Sequence, residues 1–218
     1  MEQNQPHNDF MEVFLPGVNK FGLSFSKETT RKFEMYYEEL CRWDRSINLT
    51  GLRSDEEKIV LLFIDSLAGS LVISNDPDVS IVDIGTGGGF PGIPLKLALP
   101  GLKVGLMEPR ANKTAFLLNV IGKLDITKIS VMQSRLEDFR SWKSEEEKCD
   151  VALCKGVNVR HLLPALHNIL KKNGKLVVFR SKNIDNQHFR HMKIVEEISY
   201  ELPFGYGARV LSVLQPVL

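Results

Sequence analysis

Residues 80–94 read SIVDIGTGGGFPGIP, a short β-branched apolar run that stops at Gly85 and passes into Gly87, Gly88, Gly89 and Gly92. An apolar run of this length bounded by glycine reads as a buried strand. A glycine-rich turn directly behind it is the strand-to-helix turn of an α/β sheet, where ligands lie beyond the carboxyl ends of the strands. Side chains on such a turn would keep a ligand away, and its backbone N–H groups can bind an anion. Two registers fit. Gly87-x-Gly89-x-x-Gly92 matches the dinucleotide fingerprint, which would make the chain a nicotinamide or flavin enzyme. Gly85-x-Gly87-x-Gly89 after Val82-Asp83 is the spacing by which a related fold holds S-adenosylmethionine. Both expect an acidic residue at the end of the second strand for ribose hydroxyls, and Glu108 in LMEP lies 19 residues past Gly89.

Register favours S-adenosylmethionine. Gly85 stands where the strand must turn, whereas Gly87 comes two residues late for the first dinucleotide glycine. Pro91 and Pro94 flank Gly92, which weakens its use as a glycine packing a regular helix onto the sheet. The 141 residues after Pro77 leave no room for the second domain that most dinucleotide enzymes carry. An NAD(P)-dependent oxidoreductase remains the alternative, and the bland reading is a loop that only joins strand to helix.

Downstream, strands and helices alternate. KVGLMEP, ISVMQSR, CDVALCK, GKLVVFRS and RVLSVLQ read as strands, and GIPLKLALP, ANKTAFLLNVIGKL, HLLPALHNIL and RHMKIVEEIS as helices. The pattern predicts an α/β fold, a Rossmann-like, mostly parallel doubly wound sheet with an N-terminal helical segment. The boundary falls at Asn75-Asp76-Pro77-Asp78, giving a helical segment 1–75 and an α/β domain 76–218. Residues 1–25 show no clear period and are expected to be a flexible lead-in. Ser26 is the cap of a first helix with Phe33, Tyr37, Leu40 and Ile47 on one face. Ser54 and Glu57 form a capping box for a second, whose buried side is expected to hold Ile59, Leu62, Phe63, Ser66, Leu67 and Ser70.

The formal net charge of +1 conceals an imbalance: from Val151 onward there are ten Lys/Arg against four Asp/Glu, as a polyanion-binding surface needs. Cys41, Cys149 and Cys154 lack CxxC spacing, and the histidines share no metal-ligand spacing with them, so neither a zinc site nor a disulfide framework is expected. The polar N-terminus is no secretory signal and no apolar run reaches bilayer length, so a cytoplasmic protein is expected.

NLTGL at 48–52, DSL at 65–67, VDIGTGGGFPGIPL at 82–95 and QSRLEDF at 133–139 together resemble the RsmG (GidB) family of ribosomal RNA methyltransferases, over roughly residues 47–178. The resemblance implies S-adenosylmethionine-dependent methylation of guanine N7 in small-subunit (16S) ribosomal RNA, with that RNA or an assembling ribosomal particle as partner; a monomer is expected. It also implies a cofactor site at Gly85, Gly87, Gly89 and Phe90, with Glu108 near the ribose, Leu136 and Glu137 flanking the adenine, and Lys155 where the family usually has arginine. Departures fall at Leu62-Phe63, where the family commonly has Arg-His, at CKGVN around Lys155, at FRSKN around Arg180, and at ARVLSV around Val210. They are expected on the substrate side, which leaves a catalytically inactive donor-binding relative as a further alternative.

Guanine N7 carries an available lone pair, so its methylation needs alignment and exclusion of water and no prior deprotonation. N7 must stay free, which calls for a donor to O6 alone. Lys155 is the candidate donor. Arg180, Lys182 and Arg209 are expected to contact phosphates along the carboxyl edge, with Arg53 adding a contact from the helical segment.

Overall fold

The computed structural model describes residues 6–139, 144–181 and 192–217. Seven strands form one sheet in the order β3-β2-β1-β4-β5-β7-β6: β1 Ser80–Ile84, β2 Lys103–Met107, β3 Ile129–Met132, β4 Cys149–Lys155, β5 Leu170–Arg180, β6 Met192–Glu201 and β7 Ala208–Pro216. The first five run parallel, and β7 pairs antiparallel with both β5 and β6. This is the doubly wound, mostly parallel sheet that the strand–helix alternation predicts. Chain order reverses between β1 and β4, so the first strand's turn lies at the switch point, where a crevice opens.

Helices α1 Pro6–Asn19 and α2 Lys27–Ile47 come first. The flexible lead-in expected over 1–25 is replaced by a helix from Pro6, because Phe10, Phe14 and Val18, four residues apart, bury one face of α1; residues 1–5 lie outside the described residues. Ser26 caps α2 as read, accepting from the Thr29 N–H. The Ser54/Glu57 capping box is present and opens a continuous helical run made of α3 Asp55–Lys58, a π-helical turn Ile59–Ile64, α4 Asp65–Leu67 and a 3-10 turn Ala68–Leu71. In the π turn the Asp65 N–H reaches back to the Val60 carbonyl, one residue further than in an α-helix. The slip rotates the buried face, so Val60, Ile64 and Asp65 turn inward and Leu62 and Ser70 are only half-buried.

Between strands lie α5 Gly92–Ala98, α6 Ala111–Lys123 and α7 Val159–Leu162, the last continuing as a 3-10 turn through Asn168. One hydrophobic core takes in Phe10, Phe33, Tyr36 and Phe63 from the helical segment together with Ile81, Ile93, Leu153 and Val177 from the sheet layer. A smaller core on the opposite face holds Ile84, Met107, Leu136 and Leu176.

RHMKIVEEIS, expected as a helix, is mostly β6, with Arg190 and His191 outside the described residues. Ile194 pairs with Leu214 and Glu196 with Val213, so Val195 is an extra residue in the ladder. This bulge moves Ile194 and Ile198 to opposite faces of the sheet and destroys the alternation that marks a strand.

Candidate active site

Gly85 closes β1 with φ +69°, and its N–H and that of Thr86 both reach the Met107 carbonyl at the end of β2, at 2.9 and 3.1 Å. Gly87 and Gly89 also take positive φ, at +60° and +97°. A Cβ on Gly89 would stand 2.6 Å from the Tyr36 hydroxyl oxygen and 2.6 Å from Ile93, so only glycine fits the packing there. Gly92 opens α5, and a Cβ on it would lie 2.5 Å from Leu106 and 2.9 Å from an Asp83 carboxylate oxygen. Gly92 is thus a glycine that packs helix on sheet after all. The prolines around it delay the helix without lifting it off β2.

Two carboxylates tie the loop down. Asp83, fully buried, accepts from the Thr86 hydroxyl at 2.6 Å and the Gly92 N–H at 2.8 Å through Oδ2, and its Oδ1 has no partner. Burial pushes its carboxyl up to about 6, against those two hydrogen bonds and the charge of Lys155, with Glu108 adding to the rise. Glu108 stands at the end of β2, 5 % exposed, and accepts from the Gly87 N–H at 3.1 Å and the Arg110 N–H at 2.9 Å. Lys113 of α6 reaches over the loop to the Leu49 carbonyl of NLTGL at 3.3 Å, a neighbour of Gly87 that no sequence pattern singled out.

The helical segment backs the loop. The Tyr36 hydroxyl donates to the Gly88 carbonyl, and its ring stacks on Phe90 with centroids 5.1 Å apart. Phe63 meets both rings edge-on. Phe63 is therefore a buried core residue, as is Val210 in β7.

At the end of β4, Lys155 Nζ lies 3.0 Å from Asp65 Oδ2 and donates to the Leu61 carbonyl, while the Tyr200 hydroxyl donates to Asp65 Oδ1 at 2.6 Å. The π turn is what aims Asp65 here, and sequence periodicity places it on the wrong face. Burial, followed by the Asp65 charge and hydrogen bond, raises the Tyr200 phenol far above its ordinary range. Leu136 is buried against Met107 and Ile84, and Glu137 is exposed.

Arg180 does not face solvent. Its side chain is 8 % exposed, donates to Ser212 and to Glu197 at 2.6 Å, and belongs to the face opposite Lys155. The expected phosphate contact is corrected to an internal tie between β5, β7 and β6. Arg53 is exposed beside the capping box, and Arg209 is half-exposed at the start of β7. Lys182 lies outside the described residues. Among the described residues no helix is long and apolar enough to cross a membrane.

The sequence pattern of the family described as GidB, rRNA small subunit methyltransferase G, matches residues 29–203. The chain belongs to this family. The Ribosomal RNA small subunit methyltransferase G of Carboxydothermus hydrogenoformans is 35% identical over 203 residues, covering 89% of this chain and 86% of that one. Its counterpart in Acetivibrio thermocellus is 31% identical over 212 residues, covering 94% and 87%. Membership makes this a methyltransferase of small-subunit ribosomal RNA and leaves the oxidoreductase and inactive-relative alternatives without support. The family match extends beyond the residues on which the resemblance rested, at both ends. Among solved structures, TYW2 of M. jannaschii in complex with AdoMet superposes with a TM-score of 0.53 at 15% identity, covering 71% of this chain and 76% of that one, a likeness of fold.

Proposed function

We propose that the chain transfers a methyl group from S-adenosylmethionine to guanine N7 of small-subunit (16S) ribosomal RNA, as a cytoplasmic monomer acting on that RNA or an assembling particle. One observation carries the choice of N7. Among the described residues, the buried carboxylates at this edge are tied into the protein: Asp65 by Lys155 and Tyr200, Asp83 through Oδ2 by Thr86 and Gly92 with its unpartnered Oδ1 sealed from solvent, Glu108 by two loop N–H groups. Burial pushes the thiol of Cys154, the cysteine at this edge, up to about 12. Among the described residues neither an unengaged base open to the crevice nor a thiolate stands ready, which suits an acceptor that is already a nucleophile.

The residues present fit the donor. Gly85, Gly87 and Gly89 leave the loop backbone bare beside Phe90, and a Cβ at Gly87 would meet nothing closer than 3.8 Å. Glu108 uses one lone pair on each oxygen for the loop, which leaves both oxygens able to accept ribose hydroxyls. Glu137 supplies a rim for the adenine, beside the backbone of Leu136, whose side chain is turned into the core. When bound, S-adenosylmethionine supplies an electrophilic methyl group on a sulfonium. The Lys155 ammonium has three protons, two of them directed at Leu61 and Asp65, and the third is available to guanine O6. Arg53, Lys182 and Arg209 hold phosphates.

The test is transfer of labelled methyl from S-adenosylmethionine to small-subunit particles lacking the modification, with the product mapped by N7-specific strand cleavage. Label at another atom, or none, defeats the proposal. Glu108→Ala should weaken donor binding at least about tenfold by calorimetry, since a charge-assisted hydrogen bond contributes about 1.5–3 kcal/mol.

A further inference from the structure

The β6–β7 hairpin ends in residues 202–207, LPFGYG, at the carboxyl edge of the sheet. The register fixes this: Ile84 pairs with Cys154, Lys155 with Phe179, Arg180 with Val210, and Arg209 with Tyr200, so the tip continues the row that begins at the glycine loop. Leu202 and Pro203 are buried and the Leu202 N–H closes the turn on the Gly207 carbonyl at 3.1 Å. The tip is anchored twice to the helical segment. The Tyr206 hydroxyl donates to Glu56 at 3.0 Å, and the Tyr200 hydroxyl to Asp65.

On this anchored turn Phe204 is 50 % exposed, and its ring meets no ring among the described residues. Its φ is +57°, a left-handed conformation that a bulky side chain rarely adopts and that glycine takes without strain. Packing does not explain a phenylalanine there, since its side chain gains little burial to offset that backbone. A Cβ on the adjoining Gly205 would touch nothing within 4 Å, so there is open space beside the ring. Arg209 flanks the tip, and Arg53 lies next to the Ser54–Glu56 segment that anchors Tyr206.

We infer that Phe204 is a stacking platform for an unpaired base of the RNA substrate next to the guanine being methylated, with Arg53 and Arg209 holding the adjoining phosphates. The inference rests on the RNA-methylating reading above. Flat, exposed aromatic rings beside guanidinium groups recognise single-stranded RNA by stacking, with little dependence on which base is presented. An RNA whose target guanine is drawn into the crevice has such bases on either side.

The experiment compares wild type with Phe204→Gly, Phe204→Leu and Phe204→Trp in methyl transfer to small-subunit particles, with donor binding measured by calorimetry and stability by thermal melting. Phe204→Gly relieves the backbone, so its melting temperature should equal or exceed wild type and its donor affinity should be unchanged. Its KM for the particle should rise roughly 5- to 100-fold, as loss of one base–aromatic stack implies. Phe204→Leu should share that defect and Phe204→Trp should not. An unchanged KM in Phe204→Gly overturns the inference, as does weakened donor binding. Wild-type behaviour of Phe204→Leu would show an apolar contact, such as one with a ribosomal protein, and overturns stacking. If wild type itself transfers no methyl group to RNA, the underlying reading fails, an outcome distinct from a defect or its absence at Phe204.

Discussion

Replacing Asp83 by asparagine should stabilise the protein near neutral pH and leave it unchanged in acid. The carboxyl group is completely buried and its Oδ1 has no partner, so the charged form is costly, and burial raises its pKa from 3.8 to about 6. The folded state therefore holds a proton that the unfolded state has already released between those two values. Stability falls as pH rises through that window and stays lower above it. The gap corresponds to a loss on the order of 3 kcal/mol at pH 7. Asparagine keeps an oxygen to accept from the Thr86 hydroxyl and the Gly92 N–H and never ionises. Urea unfolding of both proteins across this range should give nearly equal free energies near pH 4 and an advantage for Asp83→Asn that grows to about 3 kcal/mol by about pH 7. A difference that does not change with pH would refute the argument, because only a group titrating differently in the two states produces the slope.

Tyr36→Phe leaves the buried Gly88 carbonyl without its donor and should cost about 1–3 kcal/mol in urea unfolding while weakening donor binding by calorimetry. Asp65→Leu and Lys155→Met each break a nearly buried ion pair and should each cost about 3–5 kcal/mol, whereas the double variant Asp65→Leu/Lys155→Met should cost less than their sum when unfolded in the same way. Gly92→Ala drives a methyl group against Leu106 and Asp83 and should lower stability by about 1–3 kcal/mol on thermal melting. Gly87→Ala meets Lys113 and the Gly85 carbonyl only at ordinary contact distance and should cost only the roughly 1–2 kcal/mol of its positive φ.

The strands of the parallel sheet are legible because each carries a short apolar run bounded by polar or turn residues, and Gly85 can be placed because a strand must turn somewhere. What the sequence hid has physical causes that periodicity cannot register. Pro16 and Gly17 interrupt the apolar spacing of α1, although Phe10, Phe14 and Val18 still share a face. The extra Val195 in β6 turns an alternating strand into a helix-like pattern. A single π turn rotates Asp65 into the site, and an i, i+3, i+4 template has no place for that slip. Arg180 was misread for another reason: its partners Glu197 and Ser212 are distant in sequence, and only the antiparallel return of β7 brings them within reach. Gly92 shows the opposite failure, where prolines suggested a distorted helix and the helix nevertheless packs closely.

The position of β7 between β5 and β6 has a consequence for assembly. β6 is synthesised before the strand that must separate it from β5, so it cannot add to the growing sheet in turn. The local solution is for β6 and β7 to close first as a two-stranded ribbon through the short 202–207 connection and then to dock by the free edge of β7. That edge, Val210–Leu214, is almost wholly apolar, whereas β6, which ends outermost, carries exposed Lys193, Glu196 and Glu201. The charged strand discourages docking the wrong way round and guards the finished edge against other chains. Until docking occurs, Tyr200 cannot reach Asp65, so the Lys155–Asp65 pair at the end of β4 gains its third partner only with the ribbon in place.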